Sequence, residues 1–435
     1  MIAVTNDTAT GWAGTSGSDF LRRPAHRIWL VDQARSLFGF FQFSMVNPAG
    51  GFFPLDNNGK PMPAAGTGGV VRQLHDTTRM VHCFAMAHQL GLPGADRIVD
   101  HGMDFLWNRH RDTQNGGYFW GVDDFGAVNS SKQAYGHAFV LLAGSSAKVV
   151  GHPDADRLIA DVTAVLQQRF WDATAGATTE EYAADWQPLG GYRGQNSNMH
   201  LTEALMAAFE ATGDRTYLGM AESIARLIID RHARAEGWRV AEHFDAAWNV
   251  DRAYAGDPMF RPSGTTPGHA LEWSRLLVQL WQLGGRAHAW MHEAAQALFL
   301  HTCDIGWNKS LGGFYYTLDW SDRPDQTDRY WWPCAEGIAA AAVLRQVGGD
   351  QRFEAWYRRI WDFVVTHVID RQGGSWFPEL DANLNPVNRV FQGKPDLYHA
   401  VQACLIPLLP ATGSATRGLA GAGLNMTGQG PEFTG

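Results

Sequence analysis

The segment of residues 265–273 carries the densest set of side chains that could do chemistry. His269 and Glu272 are three positions apart in it, so on a helix both would face the same side. A carboxylate beside an imidazole orients the ring and raises its basicity, which suits an acid–base pair. A surface ion pair is the alternative interpretation, although the small Gly268 and the aromatic Trp273 favour burial.

Further polar clusters stand where other helices are predicted to begin. Asn196 and His200 supply an amide and an imidazole that could form hydrogen bonds with sugar hydroxyls. His399 lies one turn after Asp396, a residue that could equally serve only as the helix cap. The remaining candidates at such helix starts are Arg79, as a hydroxyl or oxyanion donor, with His82, Lys132, His137 and Glu336.

Histidine dominates these clusters, and this favours proton transfer. An imidazole has an unperturbed pKa of about 6.5 and exchanges protons at neutral pH, which suits moving a proton on a carbon next to a carbonyl. Glycoside hydrolysis fits less well, because it needs two carboxylates across the scissile bond. Three histidines and a glutamate could instead ligate zinc, but the chain has no HExxH or CxxC spacing. It also has no phosphate loop or dinucleotide fingerprint, so we predict no metal and no cofactor.

A recurring phrase indicates the elements that position these residues. Glycine, often paired, is followed by aromatic residues at Gly50, Gly116, Gly237, Gly312 and Gly373. A degraded copy without the glycines falls near residues 177–179, and with this copy counted the phrases lie about 60 to 76 residues apart. This spacing predicts one unit repeated six times: a glycine turn, a short aromatic strand, a second strand and then a helix.

Helical periodicity predicts twelve helices, two in each repeat. Six helical hairpins in a closed double ring make an all-α (α/α)6 barrel, with short β-hairpins at the N-terminal ends of the inner helices. The polar clusters would then converge on one cavity. We predict a single catalytic domain over residues 21–410, a disordered segment over 1–20 and a disordered Gly-rich tail over 411–435.

Composition narrows the partners and the compartment. The 435 residues carry a net charge of −9, which argues against nucleic acid or an anionic membrane as a partner. No stretch is apolar enough to span a bilayer, and the N-terminus lacks the pattern of a signal peptide. Four scattered cysteines fit a reducing compartment, so a cytoplasmic location is expected. Eighteen Trp residues suit the apolar faces of a monosaccharide, although many could simply fill the core. A homo-oligomer is left open.

In these motifs the chain resembles the N-acylglucosamine 2-epimerase superfamily, most closely its aldose–ketose isomerase branch. The matching phrases cover roughly residues 20–410 in order and are specific in combination. The resemblance implies an (α/α)6 barrel, chemistry without metal or nucleotide, opening of a sugar ring, and proton transfer through a cis-enediol. The phrases lie at residues 76–82, 131–133, 196–200, 242–245, 266–273 and 396–399.

The same resemblance implies roles for individual residues. His399 resembles the base that takes the C2 proton and returns it at C1, and His269, held by Glu272, resembles the acid–base group for ring opening. His200 belongs with these catalytic groups and also with the ligands of the sugar. The other implied ligands are Arg79, Asn196 and Trp332, with Glu336 and Lys132 matching less securely.

Two departures from the superfamily bear on the substrate. Members that take a sulfonated sugar carry Arg and Gln around the sulfonate, where this chain has Met259 and Pro378. Neither side chain can bind a sulfonate, so the conversion of D-mannose to D-fructose is the favoured expectation. The alternatives are a sugar 2-epimerase, a sulfoquinovose isomerase, a glycoside hydrolase on the same barrel, and a sugar-binding module without catalysis.

Overall fold

The computed structural model describes residues 19–64, 69–254, 256–394 and 396–422. Helices dominate these residues, and the first twelve alternate between outer and inner positions. In chain order α1–α13 are Pro24–Gln42, Leu74–Gln89, Ala95–Phe105, Ala134–Val149, Ala155–Val165, Gln195–Thr212, Arg215–Ala225, Pro267–Leu283, Ala289–Gly306, Trp331–Gly348, Gln351–Phe363, Leu397–Leu405 and Ala415–Ala422. Short π-helical segments continue four outer helices, at Leu106–His110, Leu166–Phe170, Arg226–Ala233 and Val364–Val368, and 3₁₀ turns lie at Phe20–Arg22 and Ile406–Leu408.

The even-numbered helices α2 to α12 form a closed inner ring. Each packs on the next in order, and α12 returns to pack on α2. The inner helices are buried on nearly every side, whereas the odd-numbered helices α1 to α11 bury one face and expose the other. The predicted (α/α)6 barrel is therefore confirmed. Among the described helices, none is both long and apolar enough to cross a membrane.

Short strands precede the inner helices and connect neighbouring repeats. The strand before α2 pairs with the hairpin of the following repeat, and those before α4, α6 and α10 do the same. The backbone N–H of Lys394 donates to the carbonyl of Leu55 and so joins the last repeat to the first. In chain order β1–β12 are Arg72–Gln73, Gly121–Val122, Ala127–Asn129, Lys132–Gln133, Trp171–Asp172, Ala177–Thr178, Glu181–Tyr182, Arg193–Gly194, His243–Phe244, Arg329–Tyr330, Glu379–Leu380 and Pro386–Val387.

The glycine turns occupy the left-handed region that their sequence phrase predicts. Gly116 and Gly117 have φ of 78° and 75°, and Gly312 and Gly313 have 82° and 75°. The copy near residue 177 was predicted to lack its glycine, and this is wrong, because Gly176 takes φ of 70° there. A side chain at any of these positions would be strained, which explains why glycine recurs in the phrase.

Equivalent positions of the repeats are found by counting from the residue that precedes each inner helix. This is a basic residue, or Thr265 in one repeat, and it lies two positions before the helix, or three before α12. We call the residues seven positions after it the upper layer and those ten positions after it the lower layer. The upper of these two layers is Arg79, Phe139, His200, Glu272, Glu336 and Val401, and the lower is His82, Leu142, Glu203, Arg275, Ala339 and Cys404.

Lys132 is one of these basic strand residues, and its predicted role as a sugar ligand is wrong. Its side chain is fully buried, and Nζ donates to Asp112 at 2.8 Å and to the carbonyls of Gly116 and Ala184. Lys394 makes the equivalent ion pair with Asp370 in the last repeat. Both lysines are therefore structural, and each neutralises an aspartate that shapes a glycine turn.

The predicted disorder of the tail is wrong for residues 411–422, because α13 closes the lower end of the barrel against α2, α4 and α6. The carbonyl of Gly413 accepts a hydrogen bond from Gln279 at 2.7 Å, and Thr416 is buried beside Ser146 at 3.3 Å. Residues 1–18 of the predicted N-terminal segment and residues 423–435 lie outside the described residues.

Glu210 should make the docking of this tail dependent on pH. Burial raises the pKa of its carboxyl from 4.5 to about 7, although the N–H of Ser414 donates to it. Because the folded protein holds this proton more tightly than the unfolded chain, its contribution to stability is full below pH 4.5 and is lost as the pH rises through 7. The free energy of unfolding should fall by up to about 3 kcal/mol over this pH range.

Urea unfolding at pH 5 and pH 8 measures this effect, with Glu210→Gln as the matched variant that stays neutral. The wild-type protein should lose stability relative to Glu210→Gln between the two pH values. An unchanged difference between the two proteins would contradict the assignment.

Candidate active site

A cavity of about 310 Å³ opens at the N-terminal ends of the inner helices. Its wall brings together residues from all six inner helices and from the segments just before them. Seven of the nine predicted site residues line it: Arg79, Asn196, His200, His269, Glu272, Trp332 and His399. Met259 also lines the wall, as anticipated for the position that faces the substrate.

His269, at the start of α8, is held by Glu242 and not by Glu272. Its Nδ1 lies 3.0 and 2.9 Å from the two carboxylate oxygens of Glu242, which directly precedes β9. Burial disfavours the ionised Glu242, but the neighbouring His269 outweighs it and the pKa of this carboxyl is lowered. Gln195 donates to the same carboxylate at 2.8 Å and fixes it further. The predicted His269–Glu272 pair is wrong, because Glu272 lies instead against His200 and Arg275.

His399 has a corresponding partner in Glu336. Its Nδ1 lies 2.8 Å from Oε1 of Glu336, whose Oε2 accepts from Nε of Arg275 at 2.9 Å. Burial opposes ionisation of Glu336, but Arg275 and His399 overcome it and lower the pKa of the carboxyl to about 2. Glu336 does not line the cavity, so its predicted role as a sugar ligand is wrong, and it supports the imidazole from behind.

Both imidazoles therefore present the same chemistry to the cavity. The carboxylate at Nδ1 favours the tautomer in which Nδ1 carries the proton, which leaves Nε2 as the basic atom. Within the described residues, neither His269 nor His399 makes a hydrogen bond through Nε2, and both rings line the cavity. The site thus holds two oriented proton acceptors.

Trp332 lies between these imidazoles in the order of the ring. Its indole centroid is 5.0 Å from the ring of His269 and 5.8 Å from that of His399. Gly268 makes this possible, because a Cβ there would come within 2.2 Å of Cζ3 of Trp332. The indole supplies a flat apolar face of the kind that contacts sugar rings.

Glu272 and His200 occupy the cavity floor. Burial, reinforced by the charge of Glu336, raises the pKa of Glu272 well above its usual value and so favours the protonated carboxyl. Burial, with the nearby charge of Arg79, lowers the pKa of His200 well below its usual value, so this ring is neutral. Nδ1 of His200 lies 3.6 Å from Oε1 of Glu272. The floor therefore offers groups that can donate hydrogen bonds to sugar oxygens.

Arg79 of α2 and Asn196 of α6 face the cavity from two inner helices that are separated by α4. Arg79 donates to Asp396 and, at 2.8 Å, to the hydroxyl of Tyr135. These bonds fix the guanidinium of Arg79 in place at the cavity wall. Oδ1 of Asn196 is buried without a hydrogen-bond partner among the described residues, so it can accept from a ligand hydroxyl.

Four residues of the site were not assigned a role from the sequence: His75, Tyr135, Glu242 and Arg275. His75 and Tyr135 stand three positions after the basic strand residue, as do Asn196 and Trp332, and this equivalence could have revealed them. Glu242 lay in a phrase that carried the family resemblance. No sequence signal distinguishes Arg275 from an ordinary helical arginine.

Comparison with known proteins agrees with this geometry. The sequence profile of the N-acylglucosamine 2-epimerase (GlcNAc 2-epimerase) family matches residues 50–403. A D-mannose isomerase of Pseudomonas cannabina pv. alisalensis is 42% identical over 93% of this chain and 98% of its own. One from Thermobifida fusca is 43% identical over 92% and 98%.

A solved structure supports the same relationship. A crystal structure of a D-mannose isomerase aligns with a TM-score of 0.83 and 31% sequence identity, over 90% of this chain and 99% of that one. This likeness extends over the barrel that builds the cavity. The chain belongs to the N-acylglucosamine 2-epimerase family, in its D-mannose isomerase branch.

Proposed function

We propose that this protein is an aldose–ketose isomerase that interconverts D-mannose and D-fructose through a cis-enediol. The observation that carries the proposal is the pair of imidazoles, His269 and His399, which face one sugar-sized cavity. Each has a buried glutamate at Nδ1 and a free Nε2. The similarity to D-mannose isomerases over nearly the whole chain supports the choice of sugar.

Ring opening is the first step of the proposed reaction, and His269 serves it. The free Nε2 of His269 takes the O1–H proton, the C1–O5 bond breaks as the C1 aldehyde forms, and the protonated imidazole returns this proton to O5. The carboxylate of Glu242 at Nδ1 stabilises the charged imidazole between the two transfers. Trp332 would hold the sugar ring beside it.

Proton transfer between C2 and C1 then falls to His399. Its Nε2 takes the C2 proton, the electron pair forms the C1=C2 bond, and O1 becomes negatively charged, which gives the cis-enediol as its anion. The O2–H proton passes to O1, and the C2 carbonyl forms as the C1=C2 electron pair takes up the proton that His399 returns to C1. Glu272, whose raised pKa favours the protonated carboxyl, and Arg79 line the cavity and can stabilise negative charge on the oxygens.

A 2-epimerase of the same family is the second candidate, and His269 is the observation that favours it. An epimerase needs a base on each face of C2, whereas an isomerase needs one base that spans C1 and C2. Both imidazoles line the cavity here. The product formed from mannose distinguishes the two reactions.

Incubation of the protein with mannose in heavy water tests the proposal directly. Fructose should form with wild-type protein, whereas His269→Ala and His399→Ala should each lower kcat by about 10²- to 10⁴-fold, the usual contribution of a general acid or base. The surface variant His288→Ala serves as the control and should retain wild-type kcat. Both active-site variants should keep the wild-type circular dichroism spectrum.

The outcomes separate the candidates. Glucose without fructose would indicate an epimerase, and mannose bound without exchange of hydrogen would indicate a sugar-binding module. A His399→Ala or His269→Ala variant that keeps more than about a tenth of wild-type kcat would contradict the role given to that histidine.

Neutral mannose should be preferred over anionic sugars. The three cations that line the described cavity are already paired: Arg72 with Asp124, Arg79 with Asp396 and Lys394 with Asp370. A sulfonate near Met259 would be left without donors. We expect kcat/KM for mannose to exceed that for sulfoquinovose by about 10⁴.

Met259→Arg is the matched variant for this prediction, because it introduces a cation into the cavity wall. It should raise kcat/KM for sulfoquinovose relative to mannose. Comparable values of kcat/KM for the two sugars with the wild-type protein would show that another residue binds the anion.

Gly268→Ala should impair activity by displacing Trp332. The added Cβ would overlap the rigid indole at 2.2 Å, and such a shift of a group that positions the substrate can cost about 10²-fold in rate. Gly219→Ala is the matched control, since a Cβ at this helical position has no neighbour within 4 Å. The control should keep its activity and gain up to about 1 kcal/mol of stability. Equal kcat/KM values for Gly268→Ala and wild type would refute the contact.

A further inference from the structure

A cluster of buried charges lies directly beneath the cavity floor. Arg275 of α8 is 1% exposed, and its guanidinium contacts three buried carboxylates. Nε lies 2.9 Å from Glu336, Nη1 lies 3.2 Å from Glu203, and Nη2 lies 3.3 Å from Glu272. One guanidinium thus ties together α6, α8 and α10.

Two of these carboxylates connect the guanidinium to imidazoles of the cavity. Glu336 bonds Nδ1 of His399, and Glu272 lies beside Nδ1 of His200. Arg275 itself does not line the cavity. It can therefore influence the reaction only through the side chains that it holds.

We propose that Arg275 is a positioning residue for the isomerisation: its guanidinium orients Glu336 and Glu272, and through them the imidazoles of His399 and His200. This inference rests on the function proposed above. It gives Arg275, which lies outside the cavity, the role of orienting His399, the base that moves the C2 proton.

The balance of charge supports this role. Three carboxylates face one guanidinium, so ionisation of all three would leave buried negative charge without a partner, at a high cost in free energy. Glu336 also has His399 beside it and has a pKa lowered to about 2, whereas burial and the charge of Glu336 raise the pKa of Glu272 well above its usual value. The ionisable groups that lie near Arg275 are His82 of α2, His200 and Glu203 of α6, Glu272 of α8, Glu336 of α10 and Tyr398 of α12.

The shape of the guanidinium matters as much as its charge. Its planar fork donates in three directions at fixed angles, whereas a lysine ammonium is a point charge on a flexible stem. Arg275→Lys therefore keeps the charge but cannot hold three carboxylates in the same arrangement. This makes it the most informative variant.

The test compares Arg275→Lys with Arg329→Lys, a control in which an equally buried arginine outside the site donates to backbone carbonyls. In Arg275→Lys we expect kcat for mannose to fall at least tenfold, with KM within threefold of the wild-type value. The Nδ1 proton resonance of His399, assigned with labelled histidine, should move. Arg329→Lys should leave kcat and this resonance unchanged.

A second variant guards against simple unfolding. Arg275→Met together with Glu203→Gln removes one positive and one negative charge, so the net charge of the cluster is kept. It should fold, as judged by circular dichroism, but still lack the donor to Glu336 and show the same loss of kcat. Wild-type kcat in this folded double variant would overturn the inference.

Mannose turnover and the His399 resonance test the proposed function and the role of Arg275 separately. If wild-type protein does not convert mannose, the proposed function is wrong, and the His399 resonance alone decides whether Arg275 positions that ring. A resonance that stays at its wild-type position in folded Arg275→Lys would overturn the inference, whatever the activity. A kcat within threefold of wild type in that variant would also overturn it.

Discussion

The ion cluster around Arg275 is the interaction on which the centre of the barrel depends. Three carboxylates point towards the barrel axis from neighbouring helices, and a single guanidinium contacts all of them. Several kcal/mol would be lost if any of these charges were buried without a partner. The guanidinium of Arg275 gives these carboxylates a positive partner. Together with nearby histidines, the same carboxylates form groups that could otherwise bind a metal ion. The layer beneath the cavity is therefore polar and rigid where an apolar core would be expected.

The repeat explains how polar groups from distant parts of the chain reach one cavity. Five of the six inner helices begin after a strand or bridge that pairs with the next repeat, and a backbone hydrogen bond from Lys394 to Leu55 joins the segment before α12 to the first repeat. Residues at the same distance from these starts then form layers across the axis. The upper layers supply the cavity, and the layer of Arg275 supports it. The tail helix Ala415–Ala422 closes the opposite end, where Gln279 links it to the same arginine.

The two imidazoles of the site are alike in tautomer but differ in their support. His269 is held by Glu242 from a strand at the rim, together with a neutral amide, Gln195. His399 is held by Glu336 from an inner helix, which in turn is held by a charge. Two histidines with separate supports can be adjusted separately, and this suits a reaction in which one group opens the ring and another moves a carbon-bound proton.

The sequence alone determined the barrel, because the glycine phrase and the helical periodicity are local signals that repeat six times. It also determined which helix starts carry polar groups, and most of these residues line the cavity. Only the tertiary structure decided the partners: spacing within a helix placed Glu272 on the same side as His269 but could not show that Glu242 from another element lies closer. Lys132 was misassigned for the same reason, since its ion pair with Asp112 forms between elements. The helix over residues 415–422 likewise forms where it packs against the open end of the barrel, a contact that the tail's own composition does not reveal. Contacts between elements decide such outcomes, because the energy of a buried charge depends on its neighbours in space.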